Sequence, residues 1–167
     1  MLTLFSAQSC KKEGCTSEDA VNYDEKAKKD DGSCVFEYVA DDNTFKDFMT
    51  WSNDATNHGA DPSLGMAHAG NDSTVTRKIY FKDGQDPEGG VYPDGTMIVK
   101  HSSNPSGTVN EYTAMVKRGN NFDPDGNNWE YFMLNSDGTI KDRGANLMNG
   151  MCKDCHSKAQ NDYVFSK

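Results

Sequence analysis

The pentapeptide Cys152-Lys153-Asp154-Cys155-His156 constrains this chain more than any other feature. C-x-x-C-H spacing lets two thiols form thioethers to the vinyl groups of one haem, while the neighbouring histidine turns under the ring to ligate the iron. A redox dithiol needs no histidine and would sit early, in a βαβ unit, rather than near the C-terminus. A zinc site needs further ligands, yet the sequence has no second C-x-x-C and no H-x-x-x-H. The expectation is one covalent haem c, with Cys152 and Cys155 as anchors and His156 as the proximal iron ligand.

The surroundings fit an extracytoplasmic protein. A chain of 167 residues makes one domain of ordinary size with room for a small appendage. A net charge of -9 argues against nucleic acid or an anionic membrane surface as partner. No apolar run reaches transmembrane length. In bacteria haem is attached to such motifs outside the cytoplasm, in the periplasm or at the cell surface, where disulfides also persist. Of the five cysteines, Cys15 and Cys34 bracket a loop of roughly 20 residues and are expected to pair, stabilising it by about 3 kcal/mol. Cys10 follows the short apolar, small-residue stretch Leu4 to Ser9 and resembles the lipidated cysteine of a bacterial lipoprotein. The alternatives for Cys10 are a free thiol or an intermolecular disulfide. Three regions follow: residues 1–10 a lipoprotein-type signal remnant or anchor, 11–40 a disulfide-stapled acidic module, and 41–167 a β-rich haem domain. The carboxylates and Asn22 within residues 15–34 offer oxygen ligands to calcium, although their spacing is not that of an EF-hand; a solvated spacer is the simpler reading.

Along the haem domain, Thr44 as N-cap with Phe45, Phe48 and Met49 at i, i+3 and i+4 predicts a short amphipathic helix. Residues 52–73, rich in Asn, Asp, Gly and Ser, read as a long loop. From Val75 the period becomes two: Val75, Arg77, Ile79 and Phe81 alternate with Thr76, Lys78 and Tyr80. Turn signals at Pro93-Asp94-Gly95, Asn104-Pro105-Ser106-Gly107, Asp123-Pro124-Asp125-Gly126 and Ser136-Asp137-Gly138 separate further strands. The predicted class is mainly β (α+β), an antiparallel sheet with flanking helices, the haem motif lying on a short helix within 145–160.

Tyr92-Pro93-Asp94-Gly95-Thr96-Met97-Ile98-Val99-Lys100, the aromatic strand Asn127-Asn128-Trp129-Glu130-Tyr131-Phe132, and Cys152-x-x-Cys155-His156 followed by Ala159, Asp162, Val164 and Phe165 occur in this order. Together, over roughly residues 75–165, they resemble the cytochrome P-460 superfamily, which includes the hydroxylamine-oxidising cytochromes and the β-sheet cytochromes c-prime. The resemblance implies a β-rich homodimer whose five-coordinate haem binds small nitrogen oxides on its open distal face. It implies that Lys100 stands where a lysine is cross-linked to the haem edge, and that Arg77 stands where a distal arginine guards the iron. The residues themselves leave Lys100 between cross-linking and pairing with a haem propionate, and Arg77 between the pocket and a surface ion pair. The strand Tyr112-Thr113-Ala114-Met115-Val116 lacks the carboxylate that would take protons from hydroxylamine, with Glu111 the nearest acid.

His58, His68 and His101 are further candidate iron or pocket residues, His68 being singled out by its small neighbours in Gly65-Met66-Ala67-His68-Ala69-Gly70. Met133, Met148 and Met151 are expected to wall the core or the haem. Three classes of function result. A hydroxylamine-oxidising enzyme is favoured by Lys100, and a nitric oxide binder by the absent carboxylate. An electron-transfer or cell-surface cytochrome with a redox partner protein is favoured by the anchor and spacer.

Overall fold

Two compact units make up the chain, residues 1–37 and 38–167, and the computed structural model describes residues 11–84 and 86–165. The boundary falls three residues before the expected one. In the first unit, β1 (Glu13–Gly14) pairs in parallel with β2 (Lys29–Asp30), and Cys15 is bonded to Cys34 with their Cα atoms 4.7 Å apart. Cys10, and with it the lipid-anchor expectation, lies outside the described residues. The calcium expectation finds no geometry to support it. Asp24 pairs with Lys12, Asp30 and Asp31 accept from the backbone N–H groups of Gly32 and Ser33, and Asn22 ties Ser33 to Val35. These oxygens serve their own turns, and among the described residues no cluster of three or more ligating side chains forms.

In the second unit, alternation with period two becomes a six-stranded antiparallel meander. Its strands are β3 (Ser52–His58), β4 (Thr76–Phe81), β5 (Met97–Ser103), β6 (Asn110–Lys117), β7 (Trp129–Leu134) and β8 (Ile140–Gly144), each paired with the next. The mainly β class is as predicted. Two differences have clear causes. β3 lies where a loop was expected, because Ser52-Asn53-Asp54-Ala55-Thr56-Asn57-His58 forms an exposed edge with no apolar face to produce alternation. The helix expected after Thr44 is a series of turns ending in a 3-10 turn at Phe48–Thr50. Phe45 and Phe48 are buried, but the segment is too short for helix propagation to offset nucleation.

The central strands bury both faces, and pleating sorts their residues into two cores. One contains Phe45, Phe48, Tyr80, Val99, Ala114, Val116, Phe132 and Leu134. The other contains Ile79, Phe81, Tyr92, Ile98, Met115, Trp129, Tyr131, Leu147 and Val164. On the second face the register writes cross-strand rows: Phe81-Ile98-Met115-Tyr131, then Ile79-Lys100-Thr113-Met133, then Arg77-Ser102-Glu111. Polarity rises from one row to the next. Over this face close the loop 59–70, the segment 145–150, the six-residue helix α1 (Met151–His156) and the tail to Phe165.

Candidate haem site

These elements enclose a cavity of about 470 Å³, within the range of cofactor sites. Its wall is mostly apolar, including Leu64, Ile79, Ile98, Met115, Leu147 and Val164, with Lys100, Glu111, His68 and Tyr131 as its charged or titratable members besides the C-x-x-C-H residues.

Helix α1 presents Cys152, Cys155 and His156 to this cavity. A helix of six residues has little intrinsic stability, so packing holds it. Lys153 pairs with Asp123 at 3.1 Å, and the tail behind α1 is anchored by Asp162. The Asp162 carboxylate is fully buried and accepts from Lys117 Nζ at 2.6 Å, Tyr92 N at 2.8 Å and the Asn127 side chain, while Trp129 Nε1 donates to its backbone carbonyl at 2.8 Å. That anchor places the Tyr163 carbonyl 2.7 Å from His156 Nδ1. A carbonyl only accepts, so the proton resides on Nδ1 and the Nε2 lone pair is free for a metal. Burial pushes the His156 pKa down to about 4, with Lys100 and His68 adding to the effect against the Tyr163 carbonyl, so the imidazole is neutral at pH 7.

The residues fit a haem. Both thiols are unpaired and half-buried at the cavity wall, and burial pushes the Cys152 thiol up. Met66, Met148, Met151 and Phe165 line the cavity yet are among the most exposed apolar side chains, a patch that a flat apolar ring would cover. The Tyr131 hydroxyl is buried without a hydrogen-bond partner among the described residues, His68 Nδ1 lies 3.5 Å from Glu111 Oε1, and burial raises the Tyr131 phenol far above its usual range.

Lys100 shares its face with Ile98, as its strand parity predicted, and lines the cavity. Burial lowers its pKa, Arg77 adds to this, and Glu111 opposes it. Glu111 also lines the cavity, two residues along β6 from Thr113 and in the row of Arg77 and Ser102, so the acid nearest to residues 112–116 faces the cavity too. Its carboxyl is held below the usual range, chiefly by His68 and then by the Lys100 and Arg77 charges. Strand parity with Thr113 and Met115 was the available signal for it.

Arg77 departs from its expected place. It is buried, but its Nε, Nη1 and Nη2 donate to the carbonyls of His68 (2.7 Å), Gly59 (3.0 Å) and Ala69 (2.9 Å). The guanidinium therefore fastens the loop over the cavity instead of lining it. His58 sits on the exposed edge strand with Nδ1 3.2 Å from Thr76 Oγ1. His101 is on the opposite face, stacked on Tyr112 at 4.3 Å. Of the three candidate histidines, His68 alone lines the cavity. Met133, Met148 and Met151 line it as expected.

No curated protein and no solved structure matches the chain. The family model for Cytochrome P-460 matches residues 45–166, from the first buried phenylalanine of the second unit through the whole sheet, the cavity and the C-x-x-C-H helix. The chain belongs to the cytochrome P-460 family of haem-binding cytochromes.

Proposed function

We propose that this protein is an extracytoplasmic mono-haem c-type cytochrome whose cavity admits hydroxylamine or nitric oxide on the iron face opposite His156. The observation that carries this reading is the grouping of Lys100, Glu111 and His68 on a mostly apolar wall. When bound, haem supplies an iron site for small nitrogen ligands and one-electron chemistry; the chain's own groups do the rest. Cys152 and Cys155 hold the group covalently, and His156, oriented by the Tyr163 carbonyl, ligates the iron. Lys100 meets the haem edge, by cross-link or by pairing with a propionate. Glu111, ionised at neutral pH, accepts protons released by hydroxylamine, and the apolar wall keeps bulk water away from them. The Cys15–Cys34 disulfide supports a compartment outside the cytoplasm. A homodimer and a redox partner protein belong to the same reading.

Anaerobic addition of nitric oxide, and of hydroxylamine with an electron acceptor, to wild type and Glu111→Gln tests this. Binding or turnover at the haem, with hydroxylamine oxidation slowed about 10²-fold or more in Glu111→Gln, is expected. A haem indifferent to both ligands would refute the proposal.

A second reading, an electron-transfer cytochrome, is favoured by a different observation: a second imidazole faces His156 across the cavity.

A further inference from the structure

The His68 and His156 rings lie with centroids 6.5 Å apart and planes at 90°. Two imidazoles on opposite sides of one iron, with metal–nitrogen bonds of about 2.0–2.1 Å and about 1.1 Å from nitrogen to ring centre, hold their centroids about 6.3 Å apart. Both rings line the same cavity. Each has an oxygen acceptor beside its Nδ1. His156 Nδ1 meets the Tyr163 carbonyl at 2.7 Å, and His68 Nδ1 is buried 3.5 Å from Glu111 Oε1. A carboxylate or carbonyl behind Nδ1 is the usual support for a histidine that binds metal through Nε2.

The loop that carries His68 is built for one position. His68 and Ala69 both occupy the left-handed region, with φ of 49° and 52°, a conformation unfavourable for side chains with a Cβ. Strain of this kind persists only where surrounding contacts over-determine it. Here Arg77 donates to the carbonyls of both strained residues and of Gly59, and Asp61 N donates to Gly70 O at 2.7 Å, closing the loop. Gly70 has no room for a side chain: a Cβ would stand 2.6 Å from both Gly65 O and Leu64 Cβ. The histidine is thus held rigidly toward its counterpart.

We infer that His68 is the iron ligand trans to His156, with Arg77 and Glu111 as positioning residues. The resting protein is then bis-histidine and six-coordinate, in place of the five-coordinate haem that the family resemblance implies. Nitric oxide or hydroxylamine must displace His68, and the cavity is gated by its own ligand. This inference rests on the haem reading of the cavity and deepens it.

The test uses purified holoprotein. Electron paramagnetic resonance and visible spectra of ferric wild type should show a low-spin haem. His68→Ala should convert it to high spin, and added imidazole should restore low spin. Arg77→Lys, which keeps the charge but lacks the planar fork that reaches the three carbonyls from separate nitrogens, should give a low-spin/high-spin mixture. Nitric oxide should bind His68→Ala about ten-fold faster or more than wild type, because the competent state is no longer a minor one. A high-spin wild type overturns the inference without needing any variant, and so does a low-spin spectrum unchanged in His68→Ala. If wild type is bis-histidine but neither protein takes nitric oxide or hydroxylamine, the proposed function falls while His68 ligation stands.

Discussion

Asp162→Ala should damage both stability and the haem site, for reasons that can be separated. The Asp162 side chain has no solvent exposure and its partner Lys117 is 4% exposed, so the substitution leaves an ammonium buried without its counter-ion. Breaking a buried pair from one side costs about 3–5 kcal/mol. Loss of the hydrogen bond from the Tyr92 N–H to the carboxylate adds about 1–3 kcal/mol, partly overlapping with the first loss. A total of about 4–6 kcal/mol is a large part of the 5–15 kcal/mol that stabilises a typical domain. The site feels it because Asp162 precedes Tyr163, whose carbonyl orients His156. Guanidinium denaturation of the holoprotein, followed by far-ultraviolet circular dichroism and by the Soret band, measures the first effect; the ferric spectrum measures the second. Asp162→Asn with Lys117→Met removes both charges at nearly constant shape and should recover to within about 2 kcal/mol of wild type. A loss below about 1 kcal/mol in Asp162→Ala, or no recovery in the double variant, would refute the account of Asp162 as the anchor of the tail.

Other outcomes are expected from the same geometry. Haem should stay with the polypeptide in a denaturing gel, and Cys152→Ala with Cys155→Ala should release it. Lys100→Arg keeps the charge but cannot form the same bond to the haem edge; if the amine is cross-linked, the Soret band should shift toward that of an ordinary c-type haem, and wild-type haem peptides should carry a lysine adduct by mass spectrometry. Glu130→Ala should cost about 3–5 kcal/mol in chemical denaturation, since Glu130 is the buried acceptor for both Arg118 at 3.2 Å and Arg143 at 2.7 Å. Gly138→Ala should destabilise by about 2–4 kcal/mol on the same assay, because Gly138 has φ of 83° and a Cβ there would meet Phe45 O at 2.7 Å and the Lys46 Cα at 2.8 Å.

The haem motif was readable without a fold because its chemistry is local: two thiols and an imidazole must reach one ring from adjacent turns, so the spacing 152, 155, 156 carries it. The face of Lys100 was readable for a similar reason, since alternate residues of a strand share a side and Ile98 is apolar. The Cys15–Cys34 bond followed from counting. Edge strand β3 was not readable, because an exposed strand needs no apolar pattern, and the turns at 45–50 mimicked a helix through the spacing of two buried phenylalanines.

Arg77 marks the limit most clearly. Its alternation placed it on the cavity face, but three carbonyls brought to it by the folded loop decide what the guanidinium does. His68 and His156 are 88 positions apart by their numbers, and Glu111 lies between them on a separate strand. Asp162 draws Tyr92, Lys117 and Asn127 to its carboxylate and Trp129 to its backbone carbonyl, from three separate parts of the chain. Such meetings depend on how the meander and its loops close over one another. Residue spacing along the chain therefore determined the cofactor and the faces of the central strands. Tertiary closure decided which groups face the cavity and which ones hold them there, because contacts between distant segments exist only once the sheet has brought them together.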